Sequence, residues 1–172
     1  MYTFKKENDN RYWYRLFLHQ WGILFGFNAD VMQYDQYIEK DRCLKVSEGL
    51  WFRVLDGSTE YKTVFGKDIA VAEKNILKGI KMLSDQIVEK LPDKENALII
   101  FSNFSIANCD YQDEGLTDAV LKWAKMELGV KVPETTVYFN KQLNKYEFSY
   151  DTSDTRGRSK GSTQGDGGVC YK

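Results

Sequence analysis

Ala97-Leu98-Ile99-Ile100-Phe101 runs through the polar segment Asn108-Cys109-Asp110-Tyr111-Gln112-Asp113-Glu114 into a helical pattern that ends at Gly129. Five apolar residues in succession read as a strand buried on both faces. Beyond Glu114, the residues Leu116, Ala119, Val120, Trp123 and Leu128 recur at the spacing of an amphipathic helix, and Gly129 supplies the left-handed position that closes one. A buried strand therefore delivers carboxylates to a helix N-terminus.

Upstream, Ile69, Ala72, Ile76, Ile80, Leu83, Ile87 and Leu91 form a second apolar stripe with steps of three and four. This predicts one long helix over Asp68 to Lys90, capped by Asp68 and stopped by Pro92. Before it, Leu50–Leu55 and Thr59–Phe65 flank Asp56-Gly57-Ser58, the pattern of a tight β-hairpin. The aromatic stretch from Trp13 to Phe27 predicts one or two strands. Asn28 to Arg42 has no clean period and reads as a connecting loop or short helical turn. Downstream, Val137–Phe139 and Tyr146–Tyr150 predict a closing hairpin through Asn140 to Lys145.

Hairpin strands interrupted by two helical stripes indicate an α+β fold, with an antiparallel or mixed sheet of about five to seven strands and two main helices on one face. Residues 1–151 are expected to form a single globular domain. Residues 152–172 hold five glycines and only Val169 and Tyr171 as sizeable apolar groups, so they read as a Gly/Ser-rich flexible tail.

The chain has 172 residues and a formal net charge of -1, so no global field favours nucleic acid or an anionic membrane. No apolar run approaches membrane-spanning length, and Met1 to Asp9 turns polar where a signal peptide is apolar. A cytoplasmic protein is the expectation. Cys43, Cys109 and Cys170 are widely spaced and odd in number, which suits free thiols in a reducing compartment.

His19 is the only histidine, so metal sites that need two are excluded. Gly66-Lys67-Asp68 lacks the flanking residues of a phosphate-binding loop, and Gly165-Asp166-Gly167-Gly168 has no strand-to-helix context. Two arginines in Arg156-Gly157-Arg158 neutralise few phosphates, so nucleic acid is not the expected partner. The pattern implies no cofactor and no membrane.

The remaining candidate is the acidic cluster Asp110, Asp113, Glu114 and Asp118. Helix capping by Asp113 and complementarity to the helix dipole account for such a cluster without any function. The functional reading makes Asp110, Tyr111, Asp113 and Glu114 a binding surface for another protein, plausibly a basic one, with no catalytic and no metal-ligating residue assigned. Exposed tyrosines would enlarge that surface, because Tyr12, Trp13, Tyr14, Tyr34, Tyr37, Tyr111, Tyr146 and Tyr150 cannot all enter one core. The expectation is a small protein-binding protein, an inhibitor or immunity-type neutraliser rather than an enzyme. The rival reading is a metal-dependent hydrolase or nucleic-acid-processing enzyme that uses Asp110, Asp113 and Glu114.

Overall fold

The computed structural model describes residues 1–18, 20–55, 69–91, 96–107 and 109–153. His19, the Asp56-Gly57-Ser58 hairpin with its second strand, the Asp68 cap, Pro92, Asn108 and the tail beyond Ser153 lie outside the described residues.

Three strands, β1 (Tyr2–Lys6), β2 (Arg11–Phe17) and β3 (Gly22–Gln33), run as an antiparallel meander. A second antiparallel pair, β4 (Leu44–Ser47) and β5 (Leu50–Val54), turns at Gly49, whose φ of 71° is a left-handed conformation suited to glycine. The strand β6 (Ala97–Ile106) lies between the two units, antiparallel to β3 and parallel to β5. The result is a mixed six-stranded sheet of order β1-β2-β3-β6-β5-β4. Helices α1 (Ile69–Lys81) and α2 (Ser84–Lys90) occupy the crossover from β5 to β6, and α3 (Glu114–Leu128) follows β6. Strands β7 (Glu134–Asn140) and β8 (Lys145–Asp151) pair as a separate two-stranded sheet, the expected closing hairpin. The fold is α+β, and among the described residues no helix is long and apolar enough to cross a membrane.

Register divides the side chains of the main sheet. Tyr12, Tyr14, Leu16, Ile23, Phe25, Phe27, Leu50, Phe52, Ile99 and Phe101 join Ile76, Ile80, Ile87, Val120 and Trp123 of the helices in one buried cluster. Leu98 and Ile100, on the other face of β6, pack with Cys43 in a smaller cluster, beside Tyr34, Tyr37 and Trp51. Both faces of β6 are covered, which is why its apolar run does not alternate. Helices α1 and α3 meet at Gly79, where a Cβ would lie 2.9 Å from the Thr117 carbonyl oxygen and 2.9 Å from Val120 Cβ.

Two local expectations change, and two strands appear that the sequence pattern did not mark. The long helix is broken between Lys81 and Ser84: the Leu83 N–H donates to the Ile80 carbonyl at 3.0 Å, a tightened turn, and Leu83 leaves helical geometry with φ -123° and ψ 5°. Ile80, Leu83 and Ile87 all stay buried across the break, so the stripe continues while the backbone does not. Asn28–Gln33 extends β3 instead of forming a loop, because Ser102 to Ala97 of β6 pair with it. Strands β1 and β4 have no buried residue and lie at the sheet edges, where charges such as Lys5, Lys6 and Lys45 hide any apolar period.

Candidate functional site

The polar link from β6 to α3 is irregular backbone held from two sides. On the sheet side, the Leu24 N–H donates to the Asp110 carbonyl at 2.7 Å, and the Asp110 N–H donates to the Ala107 carbonyl at 2.8 Å. Tyr111 packs its ring edge-on against Phe25, with centroids 5.9 Å apart, and its hydroxyl donates to Asp113 Oδ1 at 2.8 Å. On the side of β8, the Gln112 carboxamide takes both backbone groups of buried Tyr146: Nε2 donates to the carbonyl at 2.6 Å, and Oε1 accepts the N–H at 2.8 Å. Gln112 thus serves Tyr146 as a neighbouring strand would. The first turn of α3 then closes from Gly115 to the Gln112 carbonyl and from Leu116 to the Asp113 carbonyl, each at 3.0 Å.

The four residues singled out from the sequence stay close along this link but do different things. Asp113 occupies the N-cap position in helical geometry, φ -58° and ψ -34°, and makes no side-chain cap. The expected capping is corrected: its carboxylate accepts from Tyr111 instead. Glu114 Oε1 lies 3.7 Å from Lys145 Nζ, both side chains being open to solvent. Tyr111 is turned largely inward, and burial followed by the neighbouring Asp113 carboxylate pushes its phenol far above the usual range, so it remains a donor. It stiffens the link more than it enlarges the surface.

Asp118 does not belong to this group. It is fully buried one helical turn on and accepts hydrogen bonds from Tyr2, from Tyr14 at 3.1 Å and from Thr135 at 2.8 Å. Burial first, and the carboxylate second, drive the Tyr2 and Tyr14 phenols far upward. Both hydroxyls therefore stay protonated and keep donating, so Asp118 ties the first strand, the second strand and β7 to α3. Nearby, the Tyr150 hydroxyl is buried beside Thr117, with no partner at good hydrogen-bond geometry among the described residues.

A cleft of about 350 Å³ opens beside the link, lined by Lys78, Thr117, Lys145, Phe148 and Tyr150; of the four expected site residues, Glu114 reaches it. Among the described residues no three His, Cys, Asp or Glu side chains are grouped so as to hold a metal ion. Asp113 is engaged by Tyr111, and Glu114 stands beside Lys145.

The expected tyrosine-rich surface also shrinks. Tyr12, Tyr14 and Tyr146 are buried, and Trp13, Tyr34, Tyr37, Tyr111 and Tyr150 are half-buried. Sequence reasoning passed over Gln112, which carries no signal of its own. It also passed over Arg53, a lone charge inside the apolar run Leu50 to Leu55, which was legible as a buried cation needing partners.

Compared with protein family models, curated proteins and solved structures, the chain matches none.

Proposed function

We propose that the protein works by binding another protein, as an inhibitor or neutraliser does, with Asp110, Asp113 and Glu114 as the charged contacts and Tyr111 as their support. The observation that supports this reading is the two-sided clamp on residues 110–114. An irregular segment normally loses conformational freedom when a partner orders it, and one already tied to β3 and β8 avoids that loss. Carboxylates held on such a segment suit a partner with a basic face, for which they supply steering and register more than raw affinity.

The test is affinity capture with the full-length chain. A protein bound in simple stoichiometry should be retained at low salt, weakened as ionic strength rises, and lost with Asp110→Lys plus Glu114→Gln. The matched change Asp85→Lys plus Glu89→Gln on α2 should leave binding intact. Equal recovery by both double variants would overturn the assignment to the acidic link.

A further inference from the structure

Helix α1 turns one side into the core through Ala72, Ile76 and Ile80 and presents Lys74, Lys78 and Lys81 to solvent. The three lysines stand on successive turns, about 10 Å from first to last. Beside them Leu77 and Met82, half-buried at the margin of the core, floor a hollow of about 440 Å³ that no acidic residue lines. Lysines four and three residues apart on one helix face repel each other, so the row weakens the helix that bears it. Lys6, Lys40, Lys45 and Lys145 each have a carboxylate between 2.8 and 3.7 Å away. Among the described residues, Lys74, Lys78 and Lys81 have none.

The hollow adjoins the cleft beside the acidic link, since Lys78 lines both. Its Nζ lies 5.2 Å from the centroid of the Tyr150 ring, and Lys145 stands on the β8 wall. Two carboxylates line this end, and both are engaged: Glu114 faces Lys145, and Glu147 accepts hydrogen bonds from Tyr138 and Asn140 of β7. The tract from Lys81 to Lys145 is therefore basic over an apolar floor, on a chain whose formal net charge is -1.

We infer that this tract receives an acidic segment of a partner protein, with one apolar side chain of that segment seated in the Leu77–Met82 hollow. Unpaired ammonium groups around a small apolar hollow complement, in charge and in polarity, carboxylates that flank a large aliphatic side chain. Carboxylates on successive turns of a partner helix, about 5.4 Å apart, match the rises of about 6 and 4.5 Å between the lysines. Nucleic acid is the poorer occupant, because three lysines neutralise few phosphates and Lys78 already lies over the Tyr150 ring on which a base would stack. A membrane is poorer too, since the apolar side of α1 is packed into the core. The tract stands whether or not the acidic link binds anything, for the two carry opposite charge and suit different partner faces.

The experiment selects a random library of displayed short peptides on the immobilised full-length chain. Enriched peptides should carry Asp and Glu around a large apolar residue, and the affinity of a synthesised one should fall about tenfold with Lys74→Gln plus Lys78→Gln. Serine in place of the peptide's apolar residue should weaken binding several-fold. Lys5→Gln plus Lys141→Gln, which removes the same charge from other exposed positions, should leave the affinity unchanged. Asp110→Lys plus Glu114→Gln should not weaken it either, so failure of the acidic link is read apart from failure of this tract. No enrichment, enriched peptides without an acidic excess, or equal loss with both lysine pairs would each overturn the inference. So would lysine-dependent binding of a single-stranded oligonucleotide or of phosphatidylserine vesicles in preference to the peptide, or self-association of the chain that Lys74→Gln plus Lys78→Gln abolishes. An unfolding midpoint that does not fall in the Lys74→Gln plus Lys78→Gln chain shows that any loss is one of contact.

Discussion

The acidic link at residues 110–114 and the Tyr34–Cys43 segment are both irregular, and both are rigid for different reasons. The link is pinned through backbone groups and an uncharged carboxamide, with Gln112 satisfying the N–H and carbonyl of buried Tyr146. The other segment is pinned by charge, with Arg53 reaching up from β5 to Tyr37 and Glu39. The difference teaches where each segment's rigidity is coupled. Loss of a neutral clamp leaves buried backbone groups unpaired and is felt throughout the fold. Loss of an ion pair whose acidic member faces water is felt locally.

The largest effect expected from this contrast is that of Gln112→Ala. Two buried backbone groups of Tyr146 then lack partners, and leaving such a group unsatisfied costs roughly 1–3 kcal/mol. Urea unfolding should show a loss of that order, with the β7–β8 hairpin loosened from the main sheet. An unchanged midpoint would mean that water replaces the carboxamide freely.

Arg53→Met should act the other way round. A buried charge replaced by an apolar chain of similar length is often close to neutral, and the carboxylate partner is solvated, so global stability should change by less than about 1 kcal/mol. Amide exchange over residues 36–42 should nevertheless quicken by an order of magnitude or more, while the acidic link keeps its protection. Equal change in both segments would erase the distinction between them.

Acid separates the two without mutation. Hydrogen bonding to Arg53 first, and its charge second, hold the Glu39 carboxyl below its ordinary value. A depressed carboxyl contributes stability that is fully present above the ordinary carboxylate range and is lost as pH falls through the lowered folded value. Protection factors over residues 36–42 should therefore decline on acidification below that range. The Gln112 clamp has no titrating member and should persist further down the same series. Simultaneous loss would show that the first segment does not depend on Glu39.

The smallest effect belongs to Ile38→Ser, which should shift unfolding by no more than about 0.5 kcal/mol, as exposed substitutions usually do. A larger loss, read in the same urea titration, would give Ile38 a role in packing.

What the sequence made legible follows the range of the interactions involved. The β6 run, the α3 stripe with Gly129 at φ 64°, and the β7–β8 hairpin are set by local pattern and match the structure closely. The strand at Asn28–Gln33 was hidden because its pairing partner lies some seventy residues ahead, and polar residues tolerate the open face of a strand. The break at Met82–Leu83 was hidden because no glycine or proline marks it, and the apolar stripe runs straight through. At the candidate site, Asp110, Tyr111, Asp113 and Glu114 lie together on the link from β6 to α3, but the spacing did not show that Asp113 is engaged by Tyr111 or that Tyr111 is turned inward. Asp118 left the surface cluster altogether because Tyr2, Tyr14 and Thr135, from three distant strands, meet it in the interior. Spacing along one helix carries no trace of such partners.

The position of β6 also has a consequence for biosynthesis. As the chain leaves the ribosome, the β1–β2–β3 meander and the β4–β5 hairpin can each form early, yet among the described residues no strand pairs with both until residues 97–106 emerge. Until then the inner edges of β3 and β5 stand open, and unpaired edges recruit other chains. Nascent chains halted before Ala97 should therefore be the form most dependent on chaperones, and release past Ile106 should end that dependence.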